Sequence, residues 1–115
     1  MRRLGLIRSL AYVVVEQDGK RELLRFATER LEEGLQRARE AVAALPQSAT
    51  AYALAYDGYI TLQGAKFDAI LVEASERGRP AGVRMAQRYT RKKFLRSFRT
   101  VGNPALLGEC ETLLR

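Results

Sequence analysis

The chain reads as an α+β domain, a long amphipathic helix packed on a three- to four-stranded antiparallel sheet and closed by short C-terminal helices. Three observations predict this class. Leu24, Ala27, Leu31, Leu35, Ala38, Val42 and Leu45 recur every three or four residues, which keeps them on one helical stripe. The period then changes to alternation, with Tyr52, Leu54 and Tyr56 on one face and Ala51, Ala53 and Ala55 on the other, as in a strand. Near the end, Asn103-Pro104 precedes a stripe of Leu106, Leu107, Cys110, Leu113 and Leu114, a helix-start signature. With 115 residues, 47% of them hydrophobic, residues 1–115 are expected to form a single domain, since two cores from so short a chain would each be marginal.

In chain order, the spacing of Leu4, Ile7 and Ala11 predicts a helix over residues 3–11. Residues 12–16 stay open between helix and strand, because the β-branched run Val13-Val14-Val15 favours a strand while Val14 extends the helical spacing. The long helix runs from about Lys20 to Leu45, with Asp18 as its N-cap and Pro46 marking its end. Arg25 with Glu29 and Glu33 with Arg37 stand four apart on its outer surface, each pair worth only about 0.2–0.5 kcal/mol. Such a helix measures roughly 39 Å, more than a small domain covers, so part of its stripe is expected to face a second copy in a homodimer.

After the alternating segment, Asp57-Gly58 is either a hairpin turn or a bulge in a strand that continues through Tyr59-Ile60-Thr61-Leu62. Gln63-Gly64-Ala65-Lys66 reads as the next turn. Phe67 to Ser75 is apolar on both faces and therefore central in its sheet. A loop over 77–82 leads to a last strand, Val83 to Thr90, and Phe94, Phe98 and Val101 then cluster on one side of a short helix.

Charge is localised. The formal net charge is +7, yet residues 77–108 carry nine basic side chains and no Asp or Glu. A focused positive field of this kind attracts polyanions or acidic surfaces. On the predicted strand Arg84 and Arg88 share a face, and on the predicted helix Lys92, Lys93, Arg96 and Arg99 lie opposite Phe94 and Phe98. These six residues are the candidate binding surface. Its partner is expected to be nucleic acid, whose phosphates Arg and Lys neutralise, with an acidic protein surface as the alternative and a solvated face as the bland one. A membrane is not an expected partner, since the basic amphipathic stretch spans only about three turns.

Catalytic chemistry finds little support. The chain has no His, which removes the commonest general base and zinc ligand. Cys110 is its single cysteine, so no disulfide forms within the chain, and the cytoplasm is the default location. Arg8 and Glu16 interrupt the apolar start, unlike a secretory leader. No phosphate-binding glycine loop is present. Asp57, Asp68 and Glu73 lie on or beside strands, and the order of helix and acid-bearing strands resembles metal-dependent nucleases in general layout. The resemblance stops at Ser75, which stands where such enzymes place Lys, and at the spacing of Asp68 and Glu73, which points them to opposite faces. The expectation is therefore a non-enzymatic binding module using residues 77–99, with no cofactor and no metal, and with the carboxylate nuclease as a more distant alternative.

Overall fold

The computed structural model describes residues 9–92 and 97–115. Six strands and one helix follow one another as β1 (Ser9–Gln17), β2 (Lys20–Thr28), α1 (Leu31–Ala43), β3 (Ala49–Leu62), β4 (Ala65–Glu76), β5 (Gly82–Lys92) and β6 (Ser97–Cys110). All six strands form one sheet in the order β2-β1-β3-β4-β5-β6, with every neighbouring pair antiparallel. The expected architecture is thereby corrected: the sheet is twice the size of the smallest one anticipated, and the helix is half the length.

The difference originates at Asp18-Gly19. These residues take φ values of 54° and 75° between Gln17 and Lys20, which face each other across the ladder. Two consecutive positive φ angles make a two-residue hairpin turn whose twist matches that of the strands, for which Asp-Gly is a preferred pair. Asp18 is therefore a turn residue, not an N-cap, and residues 20–28 form a strand. Residues 9–11, expected in a helix, open β1, and the undecided residues 12–16 continue it; residues 3–8 lie outside the described residues.

The helix begins only at Leu31. Arg30 occupies its N-cap without a side-chain hydrogen bond, and Glu32 and Glu33 sit in the first turn, where their charge complements the helix dipole. Gly34 lets this end of the helix approach β2, since a Cβ there would lie 2.9 Å from the hydroxyl of Thr28. The second half of the expected stripe survives: Ala38 and Val42 are fully buried, with Leu35 and Leu45 packed beside them. That stripe covers β1 and β2, with lighter contact to β3. No surplus of helix remains for a homodimer to bury.

Asp57-Gly58 is neither turn nor bulge, for β3 and β4 pair without interruption from Ala51↔Glu76 to Leu62↔Ala65. Gly58 instead makes room for Leu71, whose Cδ1 lies 2.9 Å from where a Cβ would stand. The reversal comes at Gln63-Gly64, again with two positive φ angles, 52° and 83°. The strands expected over Phe67–Ser75 and Val83–Thr90 lie within β4 and β5.

The short helices expected near the C-terminus are absent among the described residues. Residues 97–101 and 103–110 belong to β6; the start of the expected Phe94 helix lies outside the described residues. Pro104 fits because β6 is an edge strand, where a missing N–H costs no ladder bond on the solvent side. The ladder breaks around it, between Ala86↔Ala105 and Arg88↔Val101, and the Gln87 carboxamide donates to the carbonyls of Arg88 at 3.0 Å and Gly102 at 3.2 Å. Beyond Cys110 the chain folds over the helix-side face. The Leu113 N–H donates to the Tyr52 hydroxyl at 3.2 Å, and Leu114 joins the core of Val13, Val15, Val42 and Leu54.

The β4–β5 connection returns at Gly82, where close packing decides the residue. A Cβ there would stand 2.7 Å from the Ala74 carbonyl oxygen and 3.2 Å from both Cys110 Sγ and Ser75 Cβ. Because a backbone oxygen cannot swing aside, Gly82→Ala is expected to lower stability by about 1–3 kcal/mol, read as a fall in the urea midpoint. An unchanged midpoint would mean that β4 and β5 separate more easily than their packing implies.

Candidate functional site

The register that places the basic residues is set by β4. Glu73 lies opposite Leu54 on β3 and opposite Arg84 on β5, and it is 1% exposed. Arg39 reaches it from the helix with two hydrogen bonds, Nη1 to Oε1 at 2.8 Å and Nη2 to Oε2 at 3.1 Å. Arg84 Nη2 adds a bond of 3.1 Å and the Tyr56 hydroxyl one of 2.9 Å, both to Oε2. Burial by itself raises the Glu73 pKa, but hydrogen bonds from Arg39 and Tyr56 and the charges of both arginines outweigh it and hold the carboxyl below its usual range. Burial, aided by the Glu73 carboxylate, pushes the Tyr56 phenol up, so it remains a donor. The cluster ties helix, β3, β4 and β5 together through charge-assisted bonds.

Arg84 and Arg88 share a face, as their alternation predicts, but it is the helix-side face and both have work there. Arg84 is committed to Glu73. The Arg88 guanidinium lies 3.8 Å above the Phe67 ring, a cation–π contact. Arg77, the first basic residue of the acid-free segment, donates to the carbonyls of Ala49 at 2.8 Å and Pro46 at 3.1 Å and to that of Arg115. Three of the nine charges therefore hold the fold together, and the expected six-residue surface does not assemble as drawn.

The remaining positions group differently. The last β4–β5 pair at this end is Ala69↔Arg88, whereas β5 and β6 continue through Tyr89↔Thr100, Thr90↔Arg99, Arg91↔Phe98 and Lys92↔Ser97. Beyond Arg88, then, the chain runs as a two-stranded ribbon. Lys92 and Arg99 fall on it, joined by Arg91, which is not among the six expected residues. Lys93 and Arg96 lie outside the described residues. Arg79 stands in the loop after β4, at the other end of the sheet. The ribbon's base is anchored by Tyr89, 6% exposed, whose hydroxyl donates to Asp57 Oδ1 at 2.6 Å.

The three singled-out carboxylates are not brought together. Asp57 pairs across the sheet with Ile70 and Asp68 with Tyr59, which puts both on the face opposite Glu73. Among the described residues no group of three or more Cys, Asp or Glu side chains is placed to hold a metal ion. Cys110 is half-buried, and burial raises its thiol pKa, the reverse of what activates a nucleophile. Among the described residues no helix is long and apolar enough to cross a membrane. Comparison with protein-family models, with curated proteins and with solved structures finds no match to the chain.

Proposed function

We propose that the protein is a non-enzymatic nucleic-acid-binding module whose contact element is the outer part of the β5–β6 ribbon, with Arg91, Lys92 and Arg99 as its described basic positions. One observation carries the reading: the β5–β6 ladder extends four residue pairs beyond the last β4–β5 pair, within a segment that has no acidic residue from 77 to 108. A two-stranded ribbon fits the major groove of duplex DNA, about 12 Å wide, and ribbons also enter the minor groove. Phosphate neutralisation supplies affinity without sequence preference. Arg84 and Arg88 serve this surface indirectly, by fixing β5 at the ribbon's base.

Electrophoretic mobility shifts at about 50 mM salt test the proposal with duplex DNA, single-stranded DNA and RNA of equal length. Engagement of three phosphates on a duplex gives a slope of log affinity on log salt near −2.7. Exchanging Arg91, Lys92 and Arg99 for Glu is expected to abolish the shift while leaving the circular dichroism spectrum unchanged. Absence of binding to all three probes, or undiminished binding by the triple variant, sinks the reading. Capture of an acidic protein that the same reversals abolish, in a chain that shifts no nucleic acid, transfers the ribbon to that partner.

A further inference from the structure

The helix covers one face of the sheet, and the other carries an apolar band two residue rows deep, flanked by a row holding Arg21, Glu16 and Glu76 and by one holding Asp57. Antiparallel pairing aligns two complete rows on it. Leu23, Val14, Ala53, Ala74 and Val83 follow one another from β2 to β5, ending at Glu109 on β6. Beside them run Tyr12, Ala55, Val72, Met85 and Leu106, beginning at Arg25 on β2. The solvated face of an antiparallel sheet is ordinarily polar; these two rows are not. Val14 is 39% exposed, Leu23 61%, Val83 41% and Leu106 70%, so most of the large exposed apolar side chains of the described residues collect here. The alanines in the middle keep the surface low enough for a second sheet to pack at about 10 Å.

We propose that this open face is a homodimer interface, with a second copy of the chain packed on it about a two-fold axis that runs parallel to the strands. Charge selects both the occupant and the axis. On the two apolar rows Arg25 stands at the β2 edge and Glu109 at the β6 edge, with no charge between them; Arg21, one row further along β2, is paired with Glu16 at 3.3 Å. An axis along the strands sets β2 over the second copy's β6, bringing each Glu109 above Leu23, between Arg21 and Arg25. An axis across the strands sets β2 over β2 and faces arginine with arginine. Arg25 and Glu109 have no ion-pair partner among the described residues, so each is available. The strand-parallel axis also seats Val14 opposite Val83 and Ala53 opposite Ala74, bulky against bulky at the flanks and small against small at the centre.

The area suffices. Five interstrand spacings of about 4.8 Å by about 20 Å of strand length, which takes in the two apolar rows and the adjoining row of Asp57, Ile70 and Gln87, cover roughly 500 Å² per copy, and two copies reach the roughly 1,000 Å² that a specific interface needs. Sheets packed in this way sit about 30° from alignment, a rotation that keeps each row over its counterpart near the centre.

Analytical ultracentrifugation from about 1 to 100 µM tests the proposal. The expected species has twice the 12.9 kDa chain mass. Val14→Lys, on an exposed side chain that tolerates charge in the monomer, is expected to weaken the dimer at least about 30-fold. Arg25→Glu is expected to weaken it about tenfold, and Arg25→Glu combined with Glu109→Arg to restore it, a rescue that general loss of stability cannot produce. A monomer at the highest concentration overturns the proposal. So does a dimer indifferent to Val14→Lys, a failed charge-swap rescue, or a monomer that floats with phosphatidylcholine vesicles, which reassigns the face to lipid. Gel shifts by the Arg91, Lys92 and Arg99 variant report on the ribbon independently of these measurements.

Discussion

Arg39→Met is expected to lower stability at about pH 7 by roughly 3 kcal/mol, near the bottom of the range for breaking a buried ion pair. It removes two of the four hydrogen bonds to a carboxylate that is 1% exposed. Arg84 and Tyr56 remain, which keeps the loss from being larger. The pH profile identifies the cause. In the wild type the folded-state pKa of Glu73 lies below its ordinary value. Its contribution is therefore complete above the unfolded carboxylate pKa and drains away as pH falls through the folded one. In the variant, burial prevails over the reduced compensation and the pKa moves up, so acid relieves the damage by protonating Glu73. The difference in stability between the two chains should be widest near neutrality and shrink below about pH 4. A difference independent of pH would assign the loss to packing by the Arg39 stem.

Glu73→Leu supplies the contrast. Removing the carboxylate leaves two arginines whose side chains are 37% and 42% exposed and which can extend into water along their aliphatic stems. Its cost is expected to be about 1 kcal/mol, less than that of Arg39→Met, because the buried charge is gone. If Glu73→Leu proves the more damaging of the two, the cluster is contributing net stability and not simply satisfying a buried charge.

Leu54→Ala is the second large effect, with an expected loss of about 3 kcal/mol within the range of about 2–5 for such truncations. Leu54 is fully buried and faces Val13 on one neighbouring strand and Glu73 on the other. The gap cannot close easily, because β1, β3 and β4 are fixed by their ladders on both sides. Leu54→Met, nearly equal in volume, should cost less than about 1.5 kcal/mol. Urea denaturation checks both, and equal losses would show that shape, not volume, governs this position.

The two structural predictions bear on the ribbon, since Glu73 and Leu54 hold the register of β4 against which β5 is set. A two-fold axis along the strands leaves the outer ends of both ribbons at one end of the dimer. On the proposed nucleic-acid surface, the proposed dimer would present two basic arms in place of one.

Periodicity reported faithfully wherever it had one interpretation. The faces of residues 51–56 and 83–90 follow from alternation alone, the central place of 67–75 follows from its being apolar on both faces, and Ala38 and Val42 were identifiable as buried before any partner was known. It failed from 20 to 28, where Leu24 and Ala27 continue a helical stripe as readily as Leu24, Phe26 and Thr28 make one face of a strand. Asp18-Gly19 carried the deciding local signal, a hairpin dipeptide, but the length of the downstream stripe overrode it. From 103 to 110 the Asn-Pro start signal misled for a related reason: an edge strand accepts Pro, and which strand becomes an edge is settled by the whole sheet.

The amino-acid order alone determined that positive charge concentrates after residue 76, that residues 67–75 and 83–90 form strands, and that no histidine chemistry is available. Tertiary structure decided that three of those charges are spent within the fold. Arg77, Arg84 and Arg88 are held by a carbonyl cluster, a carboxylate and an aromatic ring that stand 11 to 38 residues away in sequence. An ion pair's strength depends on distance and burial, and both come from long-range strand pairing, which no local pattern encodes.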